Sequence, residues 1–261
     1  MRRTNLAAIL TAGLLLSAPV TAGEEVSLVP PDLSGRWAMV EVMPAIASLP
    51  FVGDVELTTI VTALVDVEQD GTSLLLRDAY CFIDVQMNPP VVESRVPERF
   101  TQSLRPAPRT AELRMSEAGW QFVQPPVVEV RGASLADPER DSLPLDAFDS
   151  RVFDQDGDGH PGLTIPVTVA GLVAGDTHVV QRLRTAFSGW VVDPNTIVGS
   201  IDWSSEQNVL AASDALLTLS YSYRLHPDAA RHAFVMRRVD REWTCDTTRE
   251  RLPSLLGPTG L

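Results

Sequence analysis

Residues 55–87 read VELTTIVTALVDVEQDGTSLLLRDAYCFIDVQM, and the fold turns on how they are read. Val55, Leu57, Thr59, Val61, Ala63, Val65 and Val67 recur at every second position, with Glu56, Thr58, Thr62, Asp66 and Glu68 between them. A period of two puts the first set on one face of a strand and the second on the other. Asp70-Gly71 is a preferred pair for a tight hairpin turn, so residues 73–87 are expected to run back as a second long strand.

The same pattern extends outward in both directions. Residues 34–42 precede the hairpin as a strand; residues 163–169, 177–192, 196–203, 215–225 and 231–239 follow it, most joined by short turns. Gly175-Asp176, Asp193-Pro194-Asn195 and His226-Pro227-Asp228 carry the residues that turns use. At least eight strands in sequential hairpins predict an all-β, antiparallel meander, curled into a closed or partly closed barrel so that its edges are paired. Pro166 inside a strand pattern points to an edge or a bulge, because proline cannot donate to a ladder. Residues 88–152 read as a loop-rich insertion, with one short helix over residues 97–104.

The N-terminus begins with Arg2 and Arg3, continues through the apolar run LAAILTAGLLLSAPV (6–20) and offers small residues up to Ala22. That is the grammar of a secretory signal peptide over residues 1–22, and the run falls short of the ~20 residues a spanning helix needs. The expectation is an exported chain, periplasmic or extracellular, with one domain over residues 23–261 and no transmembrane segment. The net charge of −13 becomes −15 without Arg2 and Arg3. So acidic a chain repels phosphate backbones, which argues against nucleic acid as a partner. All 21 basic residues are arginines, the usage of a GC-rich bacterial genome. Lysine chemistry of every kind is thereby excluded.

Cys81 and Cys245 are the two cysteines. In an exported chain an even count points to a disulfide between them. Closing a loop of about 160 residues would be worth about 4–5 kcal/mol in chain-entropy terms.

Residues 153–167, FDQDGDGHPGLTIPV, carry the one recognisable site. Three carboxylates at alternate positions repel one another unless a cation neutralises them, and the glycines let the backbone turn tightly around a common point. Asp154, Asp156, Asp158 and the carbonyl of His160 stand at positions 1, 3, 5 and 7, the oxygen set that calcium takes. This loop resembles the DxDxDG calcium loops shared by EF-hands, dockerins, thrombospondin type 3 repeats and integrin-type propeller repeats. It departs from them at position 12, where Ile165 replaces the bidentate Glu, and at position 9, where Gly162 stands for an Asp. The resemblance therefore implies a weak, structural calcium site with a further ligand from elsewhere, Asp146 or Asp149 being the nearest acids.

Asp32 to Val42, DLSGRWAMVEV, is similar over about ten residues to the first strand of lipocalin-type barrels. Gly35-Arg36-Trp37 matches the Gly-x-Trp, and the resemblance implies that Arg237 or Arg238 packs on Trp37. No Gly-x-Ser-x-Gly, no His-Glu-x-x-His and no clustered histidines occur, which points away from an enzyme. The leading expectation is an exported lipocalin-like barrel binding an apolar small molecule. The alternatives are an envelope-associated structural protein and an extracytoplasmic hydrolase.

Overall fold

A computed structural model describes residues 28–49, 53–218 and 222–256. The signal segment expected at residues 1–22 lies outside the described residues. The deciding hairpin forms as the alternation requires. Strands β1 (Gly35–Leu49), β2 (Gly53–Asp70) and β3 (Ser73–Asn88) pair in consecutive antiparallel ladders. Asp70 opposes Ser73, so Gly71 and Thr72 form the turn, one residue later than expected, with Gly71 at φ 61°.

Beyond it come β4 (Val92–Ser94), helix α1 (Glu98–Ser103), β5 (Arg109–Ser116), β6 (Gly119–Arg131), β7 (Leu163–Val169), β8 (Val173–Asp193), β9 (Thr196–Ala212), β10 (Ser222–Leu225), β11 (Ala233–Val239) and helix α2 (Cys245–Leu256). All belong to one antiparallel sheet except the helices and short 3-10 turns. Residues 215–225 are not one strand. Ala215–Thr218 coils into a 3-10 turn, and among the described residues of this stretch only Ser222–Leu225 pairs, with β1. Pro166 sits just past the ladder between β7 and the three-residue edge strand β4, where no N–H is needed.

The barrel expectation is corrected. Pairing does return on itself through eight strands, β8-β6-β5-β3-β2-β1-β11-β9 and back to β8. This ring does not close round one axis, so the sheet is not a barrel. The links explain why. The β3–β5 ladder joins only Ser73–Leu76 to Arg109–Glu112, and β9 meets β11 only over Thr196–Ser200. Long strands change neighbour along their length: β1 pairs β11 up to Val42 and β10 from Ala45, the switch falling at Pro44. Bulges at Thr62/Ala63, Gln124/Val127 and His178/Val179 bend the strands further.

The carrier expectation falls with the barrel. The interior is filled by Trp37, Met39, Leu76, Phe122, Phe187, Phe234 and their neighbours in one continuous core. A cleft of about 480 Å³ is open and polar, lined by Arg182, Arg184, Ser204 and Glu206, and offers no apolar chamber. Arg238 does lie over the Trp37 ring at 4.6 Å, donating to the Asp32 and Ser34 carbonyls, while Trp37 Nε1 donates to Leu33. Arg237 instead reaches Thr196. The contact pins the N-terminal segment to β11; it plugs no barrel end.

The disulfide joins Cys81 of β3 to Cys245 at the start of α2, with Cα atoms 4.9 Å apart. It holds α2 over Ala38, Val40 and Val235 on the outer face of the sheet. None of the described helices is long and apolar enough to cross a membrane.

Candidate metal site

The loop leading into β7 folds around its own first aspartate. Asp154 Oδ1 accepts from Gly157 N (2.8 Å) and Asp158 N (3.2 Å), and Oδ2 accepts from Gly159 N (2.8 Å). Gly157 at φ 71° and Gly159 at φ 89° give the left-handed turns that this wrapping needs. The loop is closed at its base, where Gly162 N donates to Phe153 O and Gln155 N to Gly162 O. Gln155 Oε1 accepts from Gly132 N at 2.6 Å, tying the loop to the end of β6.

The structure brings Asp154, Asp156 and Asp158 together, with one carboxylate oxygen from each lying within 4.8 Å of the others. Asp156 has no exposed side-chain surface; its Oδ2 accepts from Thr164 N (3.2 Å), while its Oδ1 is buried with no partner. Asp158 Oδ1 accepts from His160 N at 2.9 Å. Burial pushes the Asp158 carboxyl up, but hydrogen bonds from Thr164 and His160 N, with the Arg99 charge, outweigh it and hold the pKa low. An anionic, all-oxygen cluster with an orphaned buried oxygen can chelate a hard divalent ion.

Arg99, from α1, supplies the nearest positive charge. Its Nη2 pairs with Asp158 Oδ2 at 3.0 Å and its Nε with Asp156 Oδ2 at 3.5 Å. Sequence reading missed it, since a single arginine in PERFTQSL carries no signal of a partner some 60 residues on.

His160 is expected to ligate through its carbonyl, which leaves its ring to make other contacts. The His160 ring stacks on His178 with centroids 4.3 Å apart, and Thr164 Oγ1 meets His178 Nδ1 at 2.8 Å. Burial, then the neighbouring His160, hold the His178 pKa below the ordinary range. Asp146 and Asp149 do not join the cluster. Asp146 caps Phe148 N, and Asp149 is bound by Arg151, whose hydrogen bonds lower its pKa to about 2. Position 9 is glycine for a steric reason. A Cβ on Gly162, at φ 79°, would overlap the Val179 carbonyl, so the loop packs on β8 only without an Asp there.

Comparison with protein-family models, with curated proteins and with solved structures finds no match to this chain.

Proposed function

We propose that this chain is an exported β-sheet protein braced by a structural calcium ion. The observation that carries the reading is the buried, unpartnered Asp156 Oδ1 inside a three-carboxylate cluster. Burying a carboxylate oxygen without a partner is costly, and a bound cation removes that cost. Calcium is favoured over magnesium because it accepts irregular carboxylate and carbonyl sets, whereas magnesium demands near-ideal octahedral geometry. Asp154, Asp156 and Asp158 would supply side-chain oxygens and His160 its carbonyl, as the similarity to DxDxDG loops implies.

Calcium in this loop would act as a brace. Gly162 runs directly into Leu163 and Ile165, which pack with Phe100, Leu104 and Val179. The other end is tied through Gly132 and the Ala133–Val152 bridge to β6. An ion therefore fastens residues 132–162 to two strands at once. Lacking a bidentate Glu, the site would have an affinity of ~10⁻⁴–10⁻³ M, the range of extracellular modules. Such a site fills outside the cytoplasm, in agreement with the N-terminal signal grammar and the disulfide. Isothermal titration calorimetry with calcium chloride should give one site per chain and a weaker response to magnesium. Equal binding of both ions, or of neither, contradicts the proposal.

A further inference from the structure

Asp154, Asp156 and Asp158 bring three like charges into one loop, and the calcium-free chain must hold them there. Asp154 is held by the loop itself, through the N–H groups of Gly157, Asp158 and Gly159. Asp156 and Asp158 each accept one backbone N–H, from Thr164 and His160, and Asp158 a further bond from the Thr164 side chain. The opposing charge comes from Arg99, whose guanidinium reaches both. Its Nη2 lies 3.0 Å from Asp158 Oδ2 and its Nε 3.5 Å from Asp156 Oδ2. One planar cation thus spans two carboxylates, as an ion would. Among the described residues no other arginine pairs with the cluster.

Arg99 is placed by a fixed segment. On one side of it Phe100 and Leu104 are buried among Leu163, Ile165 and Val179, where the loop runs into β7. On the other side Glu98 accepts from Arg249 of α2 at 3.3 Å, and the disulfide fastens α2 to β3. Only the side chain is free to move. Arg99 is 48% exposed, whereas Asp156 has no exposed side-chain surface and Asp158 has 9%. The guanidinium can leave for water; the carboxylates cannot. Its hold is also incomplete. It pairs with the Oδ2 atoms and leaves Asp156 Oδ1 buried without a partner, an oxygen that a divalent ion would take.

We propose that Arg99 is a stand-in for the ion: its guanidinium holds Asp156 and Asp158 together in the calcium-free chain, and calcium displaces it into solvent. The inference rests on the calcium reading above and adds how that site is regulated. Two cations that contend for the same oxygens repel each other at contact distance, so they alternate. The loop is accordingly folded before any ion arrives, and calcium locks a shape already made. Affinity is reduced by the same arrangement, because the ion must displace a cation that is already paired.

Hydrogen–deuterium exchange of the full chain, resolved to the amides of residues 157–160, tests this in chelator and in saturating calcium chloride. In chelator these amides should exchange about two- to fivefold faster in Arg99→Gln than in the unaltered chain, the worth of a partly exposed ion pair. In calcium the two proteins should exchange alike, because Arg99 no longer touches the loop. Equal protection of the β9–β11 ladder at Thr196–Ser200 shows that the variant is folded. A residue that merely braced the segment would keep its effect with calcium bound. Equal exchange in chelator, or a difference that persists in calcium, overturns the proposal, and calcium binding by calorimetry would then leave the site itself standing. Absence of calcium binding in both proteins overturns the site and the stand-in together.

Discussion

Replacing Glu41 by Gln should leave the protein's stability nearly unchanged at pH 4 and raise it at pH 8. The Glu41 carboxyl is buried on the inner face of β1, and desolvation raises its pKa from 4.5 to about 7. The sign follows from proton binding. Between these values the folded chain holds a proton that the unfolded chain releases, so stability falls as pH rises through the window and the full cost stands above about pH 7. Each tenfold gain in proton affinity on folding is worth about 1.4 kcal/mol, which makes that cost about 3 kcal/mol. Gln keeps the shape and never ionises, so the variant escapes the penalty. Urea unfolding of both proteins at pH 4, 6 and 8 measures it directly. The difference between them should be within about 0.5 kcal/mol at pH 4 and approach about 3 kcal/mol in favour of Gln at pH 8. A difference that does not change with pH would refute the reasoning, because it would mean that Glu41 titrates alike in both states.

Two further outcomes follow from named contacts. Arg99→Gln should tighten calcium binding about two- to fivefold, the worth of a partly exposed ion pair, because the guanidinium holds Asp156 and Asp158 in place of an ion. Weaker calcium binding in that variant would mean that Arg99 supports the ion instead. Reducing Cys81–Cys245, which spans 164 residues, should cost about 5 kcal/mol by loop entropy and lower the urea midpoint. An unchanged midpoint in reductant would show that the 81–245 link restricts the unfolded chain little.

The sequence made the local pairs legible and left the closure hidden. The 55–87 hairpin, the disulfide and the aspartate loop each rest on residues that declare themselves: strict alternation, an even cysteine count, like charges with glycines. β5 and β6 were not legible. β6 carries Pro125 and Pro126 at a bulge, and its inward positions include Gln124, Glu129 and Arg131, so no apolar alternation marks it. For the same reason the buried charges could not be read. Glu41, Asp78 and Arg109 are single charges on separate strands, and each looks like any solvated residue until the sheet folds. Residues 215–225 failed in the opposite way, showing clean alternation where Ala215–Thr218 coils. Alternation says which residues share a face, and hairpins say which strands are neighbours. Neither says whether a pairing circuit turns about one axis, which depends on bulges and ladder lengths.

The brace itself is tested most directly by thermal unfolding in calcium and in chelator. At a free calcium concentration ten times the dissociation constant, an ion that binds only the folded chain stabilises it by about 1.4 kcal/mol. For a chain of this size that is a rise of about 3–6 °C. Asp156→Asn, which alters the carboxylate with the orphaned oxygen, should abolish most of the rise. Asp193→Asn, in the β8–β9 turn and outside the loop, should keep all of it. A melting temperature that is the same in calcium and in chelator, or a rise that survives in Asp156→Asn, would contradict the account.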